Sequence, residues 1–258
     1  MIDVSIIIVN WNTRDILRDC LQSVYDQTKE ISYEVIVIDN ASSDDSVDMV
    51  KKEFPQVILI ENKENRGFAA ANNQGIAIAK GRYILLLNSD TIILDNAVYK
   101  TLLIADANVQ AGIIGCRALN RDRTLQRTCF MFPSVLNMLL SMTGLYKLFP
   151  KSKFFGREHM SWWNRDDERE VDVVTGCFMF VRREVIEKIG VMNEDYFIYA
   201  EETDWCFKAK KAGFKVLFTP FAEIIHLGGT STDQIKPQMK LQLQSGLLLF
   251  IKKMYRHI

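Results

Sequence analysis

A doubly wound α/β domain, a mostly parallel sheet with helices on both faces and one helix at the C-terminus, is the fold this sequence predicts. Two observations predict it. Short, almost wholly apolar runs recur at residues 4–9, 35–38, 57–60 and 83–87. Stretches of helical periodicity separate them, and strands that lack polar alternation belong to sheets covered on both sides.

Each element has its own local reason. Residues 4–9 are Val-Ser-Ile-Ile-Ile-Val, rich in β-branched side chains that suit a pleated strand. From 14 to 27, Ile16, Leu17, Cys20, Leu21 and Val24 recur at three- and four-residue spacing, which predicts a helix. After the strand at 35–38, Ser42, Ser43 or Asp44 can cap a helix that reaches Glu53. The strand at 57–60, a helix over 67–80 and the strand at 83–87 repeat the cycle.

The second half is less regular. A strand is expected over 171–181, and a helix over 203–212 that Gly213 ends. Further strands are expected at 216–218 and 224–226. From Gln234 on, Met239, Leu243, Leu247, Phe250, Ile251 and Met254 outline a helix with one apolar face and basic residues elsewhere. Neither an internal repeat nor a linker interrupts the chain. Residues 1–232 are therefore expected as one domain, its halves dividing near 116, followed by a basic amphipathic helix over 233–258.

Composition narrows the function. The 258 residues are 48% hydrophobic and 25% charged, which excludes disorder. Thirty-two Lys and Arg balance 32 Asp and Glu, so a general nucleic-acid binder is not expected. Five cysteines without a Cys-x-x-Cys pair argue against a disulfide framework or zinc ribbon and fit reduced thiols. The N-terminus lacks the basic region of a signal peptide, and no stretch reaches the roughly 20 apolar residues of a membrane span. A cytoplasmic location follows as the expectation.

Zero net charge conceals an uneven layout. Residues 117–157 carry eight basic side chains and one acid, whereas 158–204 carry 13 acids and five bases. Beyond Asp233 come five Lys or Arg and no acid. Such asymmetry points to anions bound at one place and a cation at another. Within the basic stretch, 135–149 is apolar with Met and Leu clusters. Two readings stay open: a peripheral contact with the inner face of an anionic membrane, or a core helix beside a solvated loop.

In an open parallel sheet, ligands bind beyond the carboxyl ends of the strands. Those ends read Asn10-Trp11-Asn12-Thr13, Asp39-Asn40-Ala41-Ser42-Ser43-Asp44 and Asn88-Ser89-Asp90-Thr91. Neither Gly-x-Gly-x-x-Gly nor a P-loop occurs, so a bound phosphate would need a metal or basic side chains. Asp90 can hold Mg²⁺ or Mn²⁺ against a diphosphate, or can cap a turn. Glu194, Asp195, Glu201, Glu202 and Asp204 crowd five carboxylates into 11 residues. They offer either a general base with a raised pKa or ordinary helix-start acids. His226, one of three histidines, is a metal ligand or a structural residue. Trp162-Trp163 presents ring faces for a sugar or packs inside.

Taken in order, these pieces resemble family 2 of the nucleotide-sugar-dependent glycosyltransferases, which have the GT-A fold. Val4–Asn12 is similar to the family's first strand, and Asp39–Asp44 to its base-recognition loop. Asn65-Arg66-Gly67-Phe68-Ala69-Ala70-Ala71-Asn72-Asn73 resembles the segment along the donor's ribose and diphosphate. Leu87-Asn88-Ser89-Asp90 stands where the family carries Asp-x-Asp, and Thr175-Gly176-Cys177-Phe178 is similar to the acceptor-side strand. Residues 197–206 resemble the motif that holds the base, and His226 with Gly228-Gly229 the metal-ligand segment. The likeness covers about residues 4–231.

The resemblance implies an inverting, metal-dependent glycosyltransferase. Glu202 is the implied base, with Glu201 in reserve; Asp90 and His226 hold Mn²⁺ or Mg²⁺. Asn10, Asn12, Asp39, Asn65, Gly67, Asn72, Asn73, Asn88 and Ser89 contact the nucleotide-sugar, and Trp163, Thr175, Gly176 and Trp205 the acceptor. The partners would be a nucleotide-sugar donor and a glycan or lipid-linked acceptor in surface polysaccharide synthesis. Asn88 departs from the first acid of Asp-x-Asp, Asn72 from a common arginine, and Glu201-Glu202 from the usual Glu-Asp. The Asn-Trp-Asn, Asp-Asn-Ala-Ser and Asn-Ser-Asp variants are most similar to the rhamnosyltransferase-type branch, whose donor is dTDP-L-rhamnose. UDP- or GDP-sugars with the same mechanism, and a non-catalytic nucleotide-sugar-binding protein, are the alternatives. A nucleotidyltransferase would need a glycine-rich basic loop after the first strand, which the chain lacks.

Overall fold

The N-terminal apolar run forms β1 (Val4–Asn10), whose alternate side chains enter two separate cores. Ile6 and Ile8 join one and Ile7 the other. The structure is a computed structural model that describes residues 2–228 and 236–255. Strands β2 (Tyr33–Asp39), β3 (Ile58–Glu61) and β4 (Tyr83–Asn88) lie parallel with β1 in the order β3-β2-β1-β4. Helices α1 (Arg14–Gln27), α2 (Ser46–Glu53) and α3 (Gly67–Ile78) connect them as the periodicity predicts.

Three elements follow that the sequence reading does not contain: β5 (Thr91–Ile93), α4 (Ala97–Ala107) and β6 (Ala111–Leu119). Gly112 and Gly115 break the apolar run of β6, which removes its sequence signal. The second half adds β7 (Leu125–Gln126), β8 (Cys129–Phe130), α5 (Val135–Thr143), α6 (Leu145–Leu148), β9 (Arg169–Glu170) and β10 (Val173–Val174). It closes with β11 (Phe178–Arg182), α7 (Arg183–Ile189), α8 (Glu201–Lys211), β12 (Lys215–His226) and α9 (Lys236–Tyr255).

The main sheet runs β3-β2-β1-β4-β11-β6-β12-β5, with β7 on β6 and β9 on β12. One reversed strand, β11, lies antiparallel to both β4 and β6 and so joins the parallel half to the parallel pair β6–β12. The expected division near residue 116 falls inside β6, and both halves build one sheet. Helices α1, α2 and α4 cover one face; α3, α7 and α8 supply residues to the core on the other. All five cysteines are free and buried.

Several sequence expectations need correction. The single strand over 171–181 is two, because Thr175-Gly176-Cys177 carries the chain from the small β8–β10 sheet into the main one. The strands at 216–218 and 224–226 are the two ends of β12. Its register with β6 shifts between Thr219 and Glu223, where Pro220 has no N–H to give. Helix α8 starts at Glu201 rather than 203. On α9, Phe250 is buried against Phe132 and Phe207, while the expected core residue Leu243 is exposed. Met239's side chain, residues 233–235 and residues 256–258 lie outside the described residues.

Two contacts fix the loop ahead of α8. At the start of α3, Gly67 has φ +80°, and a Cβ there would sit 2.4 Å from the Phe197 carbonyl oxygen. The adjacent Phe68 N–H donates to that same oxygen at 2.7 Å. From the other side Gly246 of α9 lies so close that a Cβ would meet the Tyr199 oxygen at 2.6 Å. Between them Tyr199 and Ala200 both hold φ near +72°, which is strained for L-residues. Gly67→Ala is therefore expected to cost about 1–3 kcal/mol. Urea unfolding would show a lower midpoint at unchanged slope; an unchanged midpoint would refute this tight seat.

Candidate functional site

Sheet register sets the site. Asn10 lies opposite Asp39, and Val9 opposite Asn88, so the polar residues that end β1, β2 and β4 share one edge. Asn10 is fully buried: its Nδ2 donates to Asp39 Oδ1 at 3.0 Å and to Ser42 Oγ at 3.1 Å. Thr13 Oγ1 donates to Asn10 Oδ1 at 2.6 Å and lies 3.1 Å from Ser89 Oγ. The Ser42 N–H donates to Asp39 Oδ2, and the Ser43 N–H to Asn12 Oδ1. A network so connected holds Asp39 and Asn12 in place.

The next loop is built the same way. Asn40 Nδ2 donates to Asn65 Oδ1 at 2.8 Å, and the Gly67 N–H donates to that same oxygen at 3.0 Å. Asn72 is buried and donates to the Phe68 carbonyl. Asn73 Nδ2 donates to the Met192 carbonyl and to Glu194 Oε1, both at 2.9 Å. Asn10, Asn72 and Asn73 are thus buried and held by internal hydrogen bonds.

At the far end of β12, pairing with β5 sets His226 opposite Thr91, and the Leu227 N–H donates to the Asp90 carbonyl at 2.9 Å. His226 Nε2 then stands 3.2 Å from Asp90 Oδ1 and 3.2 Å from Asn88 Nδ2. Gln126 fixes the ring. Its Nε2 donates to the His226 carbonyl at 3.3 Å and to Asn120 Oδ1 at 3.0 Å, and a carbonyl can only accept. Gln126 Oε1 must therefore face His226 Nδ1, which it meets at 2.6 Å, so Nδ1 carries a hydrogen. Nε2 is left as an acceptor toward Asn88 Nδ2, with the Asp90 carboxylate oxygen beside it.

That arrangement tests the fit of a divalent ion. A carboxylate oxygen and an imidazole nitrogen form a donor set that Mn²⁺ accepts. Among the described residues no cluster of three or more His, Cys, Asp or Glu could hold a metal. The other positions on an ion here would fall to water and ligand phosphates, the usual way Mg²⁺ is bound. The residues present fit such an ion.

Glu201 and Glu202 open α8 directly after the strained Tyr199–Ala200 turn. Both line a cleft of about 350 Å³ together with Phe68, Asn88, Thr175, Gly176, Ile198 and His226. Glu201 is 3% exposed, and one oxygen of each carboxyl is buried without a hydrogen-bond partner among the described residues. Burial pushes Glu201 well above the ordinary carboxylate range, and the Glu202 charge adds to the shift. Burial raises Glu202 too, while the N–H groups of Glu202 and Ala200 favour its ionised form. Carboxyls so raised suit proton transfer near neutral pH.

Of the sequence candidates, Asn88, Thr175, Gly176, Glu201, Glu202 and His226 line this cleft, with Asp90 beside His226. Trp205 does not reach it: the ring is completely buried in the core, and its N–H donates to the Gly190 carbonyl. Trp163 is 5% exposed, packed edge-on to Phe218 under the Arg169 guanidinium, with its N–H on Asp167. Burial takes both tryptophans out of an acceptor-contact role. Gly229 lies outside the described residues. Gln126, Arg127 and Thr128 line the cleft but escaped the sequence reading, because a two-residue strand gives no periodic signal.

The glycosyl transferase family 2 model matches residues 5–190. The chain is 26% identical over 228 residues to the low-salt glycan biosynthesis hexosyltransferase Agl10 of Haloferax volcanii, covering 87% of this chain and 67% of that one. It is 24% identical over 213 residues to the N-acetylglucosaminyl-diphospho-decaprenol L-rhamnosyltransferase of Mycobacterium tuberculosis, covering 78% and 68%. Among solved structures, the mannosyltransferase PcManGT of Pyrobaculum calidifontis, in complex with GDP-Man and Mn²⁺, superposes with a TM-score of 0.60 at 18% identity. That match covers 88% of this chain and 59% of the other, and it shows a shared GT-A fold. The chain thus spans about two thirds of the two relatives and less of the mannosyltransferase.

Gln126→Leu removes the acceptor that fixes the His226 ring. Mn²⁺ affinity, read by calorimetry, is expected to fall about 10–100-fold with the thermal midpoint little changed. Unaltered affinity would show that Gln126 does not orient this site.

Proposed function

The chain belongs to glycosyl transferase family 2, and on that premise we propose that it is an inverting, metal-dependent hexosyltransferase of surface polysaccharide synthesis. One observation carries this reading: two raised, incompletely paired carboxyls share a cleft with His226, and Asp90 meets His226 at that cleft's edge. A protein that only bound nucleotide-sugars would not need a base there. Asp39, Asn12, Asn65 and Ser89, held by the ties described above, would contact the nucleotide. Mn²⁺ or Mg²⁺ held by Asp90 and His226 would neutralise the charge that builds on the departing diphosphate.

Glu202 takes the proton from an acceptor hydroxyl, whose oxygen attacks the anomeric carbon from the face opposite the diphosphate. The C–O bond to the diphosphate breaks as the new one forms, so configuration inverts. Glu201, the more buried of the pair, is raised further by the Glu202 charge and so holds back a second negative charge. The acceptor, a glycan or a lipid-linked sugar, enters along Thr175 and Gly176. The donor is best read as dTDP-L-rhamnose, supported by the Asn-Trp-Asn and Asn-Ser-Asp variants and by the rhamnosyltransferase relative. The hexosyltransferase relative keeps UDP- or GDP-sugars as the second reading.

Glu202→Gln tests the base. Transfer should fall about 10²–10⁴-fold while the nucleotide-sugar still binds. Undiminished transfer would remove Glu202 from that role, and equal loss in Glu201→Gln alone would move it to Glu201.

Stability gives an independent check on the pair. A carboxyl raised on folding contributes stability that is complete below its unfolded pKa of about 4.3 and disappears as pH rises through the folded value. Glu201→Gln should therefore raise the thermal midpoint at pH 8 and leave it nearly unchanged at pH 4. A midpoint that falls at pH 8 would contradict the raised pKa.

A further inference from the structure

Helix α5 is built inside out. Its sequence, Val-Leu-Asn-Met-Leu-Leu-Ser-Met-Thr, holds five Leu, Val or Met among its first six residues, yet its one buried residue is Asn137. Asn137 is 3% exposed, and its Nδ2 donates to the Phe132 carbonyl at 2.8 Å. The apolar side chains face outward: Leu139 is 57% exposed and Met142 82%. A helix resting on a protein core turns its apolar stripe inward, so this one has another apolar surface to meet. Leu148 at the end of α6, with Phe149 and Phe154 after it, extends the exposed apolar surface.

The same segment is cationic. Lys147, Lys151 and Lys153 are exposed between these apolar residues, and no Asp or Glu occurs between Asp122 and Glu158. Apolar side chains interleaved with lysines match the boundary of a bilayer, where acyl chains lie under phosphate headgroups. A protein partner with an apolar face would not call for that run of uncompensated charge. Helix α9 packs near the start of this segment: its Phe250 stacks on Phe132, three residues before α5, and its Leu241 and Leu248 are exposed. No described helix is long and apolar enough to cross a membrane. Contact at the surface is what the geometry allows.

We infer that the α5–α6 segment and the loop after it form a docking surface for an anionic lipid bilayer, seating Leu139, Met142, Leu148 and Phe149 at the acyl boundary. The surface is coupled to the cleft by the chain itself. Arg127 and Thr128 line the cleft, β8 follows at Cys129–Phe130, and α5 begins five residues later. Docking there brings the cleft close to the bilayer, where an acceptor carried on a lipid would be found. This inference rests on exposure and charge and stands apart from the assignment of Glu202.

Sedimentation of the full chain with vesicles tests it. Phosphatidylcholine vesicles with and without phosphatidylglycerol are compared at low and high salt. The chain should bind the anionic vesicles, and salt should weaken that binding. Because net charge is zero, such a preference cannot arise from overall charge. Leu139→Asp with Met142→Asp should lower partitioning at least about tenfold. Lys147→Gln, Lys151→Gln and Lys153→Gln together should lower it roughly 100-fold. Both variants should keep the wild-type thermal midpoint and nucleotide binding, which separates failure of docking from failure of the donor site. Equal binding to neutral vesicles, no binding to either, or variants that bind like wild type would overturn the inference. So would a dimer in light scattering that Leu139→Asp with Met142→Asp dissociates, because the surface would then serve a second copy of the chain.

Discussion

The antiparallel pairing of β12 with β5 is the constraint from which the site follows. It brings His226 opposite Thr91, and a backbone hydrogen bond from Leu227 to the Asp90 carbonyl closes the contact. Two residues separated by more than half the chain thereby meet at 3.2 Å, a carboxylate oxygen against an imidazole nitrogen. Neither could choose that neighbour alone. A slip of one residue in this register would turn His226 to the opposite face and dissolve the pair. The reversed strand β11, set between β4 and β6, carries the frame across from the β1–β4 edge to the β6–β12 pair.

Around that pair the molecule gives up stability for chemistry. Tyr199 and Ala200 keep left-handed backbone angles, and the two glutamates behind them are buried where charge is disfavoured. The strain is held from two sides, since Gly67 on α3 and Gly246 on α9 leave only enough room for the turn's carbonyl oxygens. Packing of Phe250 against Phe132 and Phe207 anchors the second clamp. The C-terminal helix is thus part of the machinery that presents the carboxyls.

Much of the parallel half was legible because its signals are local. Residues 4–9 and 83–87 declare buried strands by composition alone, and Ile16 to Val24 declare a helix by spacing. Asp90, Glu202 and His226 were legible as candidates through the order of motifs rather than through any one residue. What was hidden depends on distant contacts. Nothing near Gln126 says that its amide will lock a ring 100 positions away. Strand β6 lost its signature to two glycines, and Pro220 made β12 look like two strands. Trp163 invited a sugar-stacking role by residue type and Trp205 an acceptor contact by resemblance, but tertiary packing buries both in the core. Asn10, Asn72 and Asn73 hold the polar edge together from within for the same reason.

We propose that the edge of β1, β2 and β4 binds a nucleoside diphosphate through a divalent ion that Asp90 and His226 would hold. Calorimetric titration of dTDP, UDP and GDP, each with and without Mn²⁺, tests it most directly. Binding that requires the metal and disappears in Asp90→Asn is the expected result, with preference for dTDP supporting the rhamnosyl donor. Metal-independent binding of every diphosphate, or no binding with metal present, would contradict the site and leave only the fold.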